Sequence, residues 1–340
     1  MHFLFYFINF LVAIDKSSSL IYNKNMKKFL LTLLLLVVAL TTFTSCTLFG
    51  QSSTSATEQQ NKKAILVSFK TVDSDYDGAF NSIVGWKAAG MGYIVKTKSG
   101  KIIAIDGGNT ADATPFYNEL KKYSADNTID YWIFTHPHGD HVNAFLTMAT
   151  SNSFDLTIKN LVYDFPLDFS DSSCAQYNQQ VQTVANAFGS NIITPQKGQT
   201  ITLDGVELNF LYTPVEYSTY TSSNAISLIF TIKTENKKVM ITGDAFEPSL
   251  VRVTSENGKA LKCDIIQMPH HFLCDTGYDL FYLYVDAKTL LLPTCRSGFI
   301  AMTDPNSEYS SNVHFQTNKR VLENAKEYYL SYDGTIEIEL

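Results

Sequence analysis

Histidine is scarce and unevenly placed in this chain, and its spacing restricts the fold more than any other feature of the sequence. Three of the seven histidines in 340 residues fall within six positions, at His136, His138 and His141, with Asp140 between them. These residues follow the apolar, β-rich run 131–134, which predicts a strand. The cluster is therefore expected in a loop at the carboxyl end of that strand.

This cluster has the composition of a metal site. The imidazoles of His136 and His138 can converge on one metal ion, while Asp140 and His141 reach a second ion nearby. Nitrogen donors with one carboxylate suit zinc, with manganese or iron as alternatives. The alternative is a polar loop with incidental histidines, which four ligand-type residues within six positions disfavour.

Two later segments end in the same way, with a ligand-type residue after an apolar strand. The run Val239-Met-Ile-Thr-Gly-Asp places Asp244 at a tight glycine turn, and Ile265-Ile-Gln-Met-Pro precedes His270 and His271. Strand ends that deliver a carboxylate or an imidazole at three places are what a shared metal centre requires.

Residues 63–340 contain no repeat and no linker, and we interpret them as one domain. The predicted strands are 64–70, 131–134, 200–203, 206–212, 226–231, 239–242, 264–268 and 334–340, and a hairpin is predicted across 92–100 and 101–105. Helices are predicted from Thr114-Pro115, at 175–188 and at 318–325. Grouped strands with helices between some of them indicate an α/β sandwich instead of a simple parallel sheet.

The motifs Asp106-Gly-Gly, His136-x-His-x-Asp-His141, Thr242-Gly-Asp244 and His270-His271, in this order, resemble those of the metallo-β-lactamase superfamily. The resemblance covers residues 63–340 and implies an αββα four-layer sandwich with two divalent metal ions, zinc foremost, at one edge of its sheets. The implied metal ligands are His136, His138, Asp140, His141, Asp244 and His270.

The resemblance also implies a role for each of these residues. His136 and His138 would hold the first ion and Asp244 would bridge the two ions, with the remaining ligands on the second. Asp106 would orient a ligand imidazole, while Asn224 and His271 would lie beside the ligands or the substrate.

This sequence departs from the superfamily pattern at one ligand. Most members supply another histidine between the first motif and the bridging aspartate, but this chain has none between residues 141 and 270. Ser222-Ser-Asn224 stands in its place. This pattern is similar to the hydrolase domain of the bacterial competence DNA-uptake channel, which also lacks that ligand. We therefore expect weaker or exchangeable binding of the first ion.

Two further features bear on the substrate. The competence subgroup continues its His-His pair with Gly-Ser, whereas this chain continues with Phe272-Leu273, so its substrate preference is expected to differ. His314 lies roughly where the subgroup has a late histidine. Two alternatives stay open for it, a substrate-facing acid or base and a surface histidine.

The N-terminal segment predicts export. Residues 26–45 have the basic start, short apolar run and small-residue exit of a signal peptide. Their end resembles a bacterial lipobox, which would make Cys46 the lipid-modified first residue on the outer face of the cytoplasmic membrane. An uncleaved anchor helix is the alternative. Residues 1–25 are interpreted as an upstream extension outside the natural product or as part of a two-helix anchor, and residues 46–62 as a flexible tether.

Charge and cysteine content narrow the possible partners. The formal net charge is −7, and four lysines precede residue 46, so the body of the chain is still more acidic. Such a body lacks the basic surface of a general nucleic-acid binder. The body cysteines contain no Cys-x-x-Cys pair, and both disulfides and buried thiols remain open for them. They are Cys174, Cys263, Cys274 and Cys295.

Together these features predict a hydrolase that uses a metal-activated water, with Asp140 and His314 as its catalytic residues. The subgroup resemblance favours a phosphodiester substrate, either nucleic acid or a cell-wall or phosphocholine-type ester. Lactones, thioesters and amides suit the same chemistry. The non-enzymatic alternative is a surface lipoprotein that keeps the metal fold for binding.

Overall fold

The computed structural model describes residues 63–80, 90–214, 222–273 and 278–340. The predicted upstream extension, leader, Cys46 and tether lie outside the described residues, as does Cys274. Cys174, Cys263 and Cys295 are buried and form no disulfide, so these three are thiols. Among the described residues, no helix has both the length and the apolar character that crossing a bilayer requires.

Two seven-stranded sheets form the framework of the described residues. The first contains, in spatial order, β16 (Ile336–Glu339), β1 (Ile65–Ser68), β2 (Gly92–Lys96), β3 (Ile102–Asp106), β5 (Tyr131–Ile133), β7 (Asn160–Val162) and β8 (Asn191–Ile193). The second contains β15 (Glu327–Leu330), β14 (Thr289–Leu292), β13 (Ile265–Gln267), β12 (Lys238–Ile241), β11 (Ile229–Lys233), β10 (Val206–Tyr212) and β9 (Thr200–Leu203). A separate short pair joins β4 (Thr128–Ile129) and β6 (Thr157–Ile158).

Helices cover the outer face of each sheet. They are α1 (Ala113–Tyr123), α2 (Gly139–Thr150), α3 (Ser172–Phe188), α4 (Glu247–Asn257), α5 (Asp279–Val285), α6 (Arg296–Thr303) and α7 (Val313–Asn324). Helices α1 to α3 pack on the first sheet and share its outer core. The later helices contribute to the outer core of the second sheet.

The layers follow from the two-residue period of the strands. In β3, Ile103 and Ile105 point into the core between the two sheets, while Ile102 and Ala104 point into the core under the helices. Every residue of this strand is buried, which explains its unbroken apolar run. A core between the sheets and one outside each sheet make a four-layer αββα sandwich, so the predicted fold is confirmed.

Strand direction decides where the polar loops meet. β3 pairs in parallel with β5, and β12 pairs in parallel with β13, which pairs in parallel with β14. Parallel neighbours end at the same edge of a sheet. The residues that follow these strands therefore gather at one edge of each sheet.

Three sequence predictions were wrong in detail. The loop predicted for the cluster at 136–141 ends at His138 and α2 begins at Gly139, because Val142, Phe145 and Met148 give the following segment a buried apolar face. The strand predicted at 226–231 begins at Ile229, after a 3₁₀ turn at Ser223–Ile226. The last helix begins at Val313 instead of residue 318.

Candidate metal centre

The histidine cluster spans the junction between a loop and a helix. His136 lies in the loop after β5, and His138 is the extended residue that precedes α2. The carbonyl of His138 accepts hydrogen bonds from the backbone N–H groups of His141 and Val142 at 3.2 and 3.0 Å. Asp140 and His141 therefore project from the first helical turn, while the first two imidazoles project from the loop.

Asp106 orients one of these imidazoles. It ends β3 in a left-handed backbone conformation, with φ 52°. One carboxylate oxygen lies 2.8 Å from His141 Nδ1, and the other accepts the backbone N–H of Thr135 at 2.8 Å. Because Nδ1 carries the proton toward Asp106, Nε2 presents its lone pair on the opposite side. This geometry suits the orienting role that the family resemblance implies for Asp106.

The second sheet reaches this cluster through Gly243. A Cβ at residue 243 would lie 2.7 Å from Thr135 Cβ and 3.1 Å from Ser227 Cβ, and its φ is 54°. Only glycine fits this close approach in this left-handed conformation. The turn after β12 thereby meets the loop after β5, and the Asp244 backbone N–H donates to Ser227 Oγ at 3.1 Å.

Gln267, which belongs to none of the sequence motifs, holds the two strand-end turns of the second sheet together. Its side-chain amide donates to the carbonyl of Gly243 at 3.0 Å, and its side-chain oxygen accepts the backbone N–H of Thr242 at 2.8 Å. The residue is fully buried. A glutamine inside the apolar strand Ile265-Ile-Gln-Met was the signal that could have identified it.

His270 and His271 are placed the opposite way round from the prediction. His271 Nε2 lies 3.1 Å from Asp140 Oδ2 and 3.3 Å from Asp244 Oδ2, with Nδ1 2.9 Å from the Pro293 carbonyl, which fixes that nitrogen as the donor. His270 Nε2 lies 3.2 Å from the side-chain amide of Asn224, which occupies that nitrogen. His271 therefore takes the ligand position that was assigned to His270.

A left-handed turn causes this exchange. His270, His271 and Phe272 have φ values of 44°, 55° and 66°, a run that residues other than glycine rarely adopt. The buried Phe272 ring stacks on Phe299, and Asn318 donates to the Phe272 carbonyl at 3.1 Å. These contacts hold the turn, and the turn decides which imidazole faces the first sheet.

Two groups of ligand atoms result. The first donor group consists of His136, His138 and Asp244, and the second of Asp140, His141, Asp244 and His271. Within each group the ligand atoms lie within 4.8 Å of one another, and Asp244 belongs to both. The predicted ligands thus come together, with His271 in the place of His270.

The donor atoms have the separations of ligands around an ion. Asp244 lies 3.3 Å from His141 Nε2 and 3.6 Å from His136 Nε2. Tetrahedral zinc with bonds of about 2.0–2.1 Å implies ligand separations of about 3.3 Å. Several of these buried atoms make no hydrogen bond within the described part of the chain; they are His136 Nε2, Asp140 Oδ2, His141 Nε2, His271 Nε2 and both Asp244 oxygens.

The two donor groups differ in the pKa values of their imidazoles. Burial, followed by the nearby His141, lowers the pKa of His136 well below its ordinary value, so this imidazole is neutral. Burial acts in the same direction on His271, but Asp244 and Asp140 outweigh it and raise the pKa to about 10. The carboxylates likewise raise the pKa of His141 well above its usual range. Without a metal, protonated His141 and His271 therefore balance the negative charge of the carboxylates in the second group.

His314 belongs to neither donor group. It lies half-buried near the start of α7, with Nε2 4.0 Å from a carboxylate oxygen of Glu247. Glu247 begins α4, three residues after Asp244. His314 therefore stands beside the element that follows the shared ligand, and its catalytic role remains a prediction.

The sequence itself decides the family. Residues 89–276, more than half of the chain, match the family described as the metallo-beta-lactamase superfamily. This chain belongs to the metallo-β-lactamase superfamily. No curated protein matches this sequence.

Several solved structures are similar to this one at low sequence identity. The fold protein YhfI from Bacillus subtilis is 15% identical, with 81% of this chain and 99% of that chain covered and a TM-score of 0.47. Zn²⁺-bound PqqB from Methylobacterium extorquens is 11% identical, with 82% and 100% covered and a TM-score of 0.45. A diphosphatase of the PhnP family is 13% identical, with 67% and 85% covered and a TM-score of 0.38.

Members of the metallo-β-lactamase superfamily bind divalent metals, and the donors of this chain fit such ions. The second group offers two imidazoles and two carboxylates, a complete shell for zinc. The first group offers two imidazoles and the shared carboxylate, which leaves coordination positions open. The buried donor atoms without hydrogen bonds are the observation that favours metal over a purely structural network.

Proposed function

We propose that this protein is a metal-dependent hydrolase that acts on phosphodiesters. One observation carries the proposal: a single buried carboxylate, Asp244, is shared by two groups of ligand atoms that lie side by side. Paired metal sites suit displacement at phosphorus, because both the attacking and the leaving oxygen can be stabilised.

Two divalent ions held by these donors would lower the pKa of a water molecule and offset the negative charge that develops on the phosphoryl oxygens. Asp140 remains ionised, since His141 and His271 outweigh the effect of burial and lower its pKa. A carboxylate of this kind accepts hydrogen bonds and ligates, and it is a poor proton donor. Its catalytic task would be to orient the attacking water at Oδ2.

His314 would hold a proton for the leaving group. Its Nε2 lies 4.0 Å from the carboxylate of Glu247, the first residue of the helix that follows Asp244. From the start of α7 it would donate that proton to the leaving oxygen. Replacing His314 should therefore slow substrates with basic leaving groups more than substrates with nitrophenolate leaving groups, which need no proton.

The resemblance to the hydrolase domain of the competence DNA-uptake channel favours a phosphodiester over a β-lactam. The acidic body favours a small diester or a wall-polymer ester over long nucleic acid, which needs a basic track. Phe272 fills the position of a small residue of that subgroup and is buried against Phe299. A ring buried in this way would affect substrate choice through the turn that it holds.

The proposed setting is the outer face of a bacterial cytoplasmic membrane. It depends on the sequence alone: a signal peptide at 26–45, a lipid on Cys46, a tether to residue 62 and a hydrolase domain at 63–340. Intact mass of the exported protein would test it. A lipid-modified N-terminal Cys46 is expected, and an unmodified chain that begins at residue 1 would contradict the proposal.

The activity is tested on the purified full chain, made metal-free and then supplied with Zn²⁺ or Mn²⁺. We expect metal-dependent hydrolysis of bis-p-nitrophenyl phosphate, faster than hydrolysis of a matched lactone, thioester or amide. The variant His136→Ala, which lacks one donor of the first group, should lose most of this activity.

Each other outcome selects a different function. A lactone or thioester hydrolysed faster than the diester would replace the proposed substrate class. Metal uptake without hydrolysis of any of these substrates would favour the non-catalytic surface protein. Hydrolysis at the same rate without metal would remove the proposed site from the reaction.

A further inference from the structure

His138 contacts two side chains that belong to neither donor group. Ser223 Oγ lies 2.5 Å from His138 Nε2 and 2.6 Å from Asp171 Oδ2. Ser223 is fully buried at the start of the 3₁₀ turn Ser223–Ile226, and Asp171 precedes α3. These three residues come from distant parts of the chain, so the fold itself brings them together.

The direction of these hydrogen bonds follows from Asp171. This carboxylate also accepts the backbone N–H of Ser173 at 3.0 Å as the cap of α3, a position at a helix N-terminus that favours the ionised form. An ionised carboxylate only accepts hydrogen bonds, so the Ser223 hydroxyl donates to Asp171. The serine oxygen then accepts the proton of His138 Nε2.

That direction selects the tautomer of His138. With the proton on Nε2, the lone pair of the neutral ring lies on Nδ1. The two ring nitrogens point in different directions, so Ser223 and Asp171 lie away from an ion held at Nδ1. Asp171 Oδ2 is 3.9 Å from Nε2, which places it behind the ring as a support.

We infer that Ser223 and Asp171 are positioning residues that hold His138 in the orientation and tautomer in which Nδ1 ligates the ion of the first donor group. The inference rests on the proposed metal centre. The first group has only three donors, so the orientation of each one matters more than in a complete shell. Where most of the superfamily supplies a third imidazole, this chain supplies a serine that fixes the second one.

The test uses the full chain loaded with Co²⁺, whose bound imidazoles give strongly shifted N–H proton resonances. Wild type should bind two Co²⁺ ions with unequal affinity and show an exchangeable N–H resonance from His138. Ser223→Ala should weaken the weaker site about 10- to 100-fold. The same variant should leave the tighter site unchanged and lose the His138 resonance to fast solvent exchange.

Three further variants isolate the hydrogen bonds. Ser223→Thr keeps the hydroxyl and should retain both the affinity and the resonance. Asp171→Asn should weaken the same site, and it carries the test if Ser223→Ala does not fold. Ser222→Ala is the matched control, because the Ser222 side chain accepts from the Asn224 backbone N–H and should leave both sites as in wild type.

Two results would overturn the inference, and they differ from each other. If Ser223→Ala and Asp171→Asn both keep the wild-type affinities and the N–H resonance, the two residues do not position His138. If the wild-type chain takes up no Co²⁺, the proposed metal centre is wrong and the inference falls with it.

Discussion

The two donor groups share Asp244 but are built differently. The first takes both of its imidazoles from one loop of the first sheet, and both are held neutral because burial lowers their pKa values. The second joins the start of α2 to the turn after β13, and its carboxylates raise the pKa of His141 and His271. We infer that the first group binds its ion weakly and with little response to pH, and the second tightly and with a strong response.

The largest expected effect is that of Asp244→Asn, because this residue serves both groups. Removing the shared charge should weaken the binding of both ions, so that neither is held tightly, and lower diester hydrolysis by about 1000-fold. Metal content and hydrolysis rate measure it. Asp130→Asn is the control, since Asp130 is a buried carboxylate paired with Lys159 at the opposite end of β5. Retention of one tightly bound ion in Asp244→Asn would show that the groups are independent.

The next effect separates the adjacent imidazoles. His271→Ala should weaken the second site by about 100-fold or more, because it removes a direct ligand of that site. His270→Ala removes the contact with Asn224 and should change the affinity by less than about tenfold. Titration calorimetry on the two variants compares them directly. The reverse order would restore the ligand assignment made from the sequence.

The pH dependence should differ between the groups. The metal-free His271 has a pKa of about 10, so below that pH an ion must displace its proton. Affinity at the second site should therefore rise by about tenfold per pH unit for each proton released, between about pH 6 and 9. The first site should change little, since His136 is already neutral. Equal slopes for the two sites would contradict the proposed difference.

The smallest expected effect is the difference in stability between two variants of Phe272, in the turn that carries His271. Both Phe272→Ala and Phe272→Gly lose the buried ring, at a cost of about 3–5 kcal/mol. Because φ is 66°, the glycine variant should be about 1 kcal/mol more stable than the alanine variant, the reverse of the order at ordinary positions. Urea unfolding of the metal-free variants measures the difference. An alanine variant as stable as the glycine variant would show that the turn relaxes without the ring.

The sequence, through its resemblance to the superfamily, was sufficient to predict the four layers and most of the residues that the two donor groups bring together. The hexapeptide from His136 to His141 indicates a metal site even when the fold is unknown. Unbroken apolar runs such as β3 predict strands buried on both faces. The choice between His270 and His271 depended on three consecutive left-handed residues, which no local preference predicts. Ser223 and Asp171 were missed for a similar reason, since 52 residues separate them.

The pairing of β1 with β16 has a practical consequence. Ile65 lies opposite Glu339, and the Leu340 backbone N–H donates to the Ala64 carbonyl at 2.8 Å. The start of β1 and the end of β16 are therefore neighbouring points on the surface of the sheet edge. β1 runs in the same direction as β3, which ends at Asp106. Both points are thus at the opposite end of the strands from the edge that holds the donor groups. A C-terminal affinity handle, or a solid support coupled through one, should leave the two donor groups unobstructed.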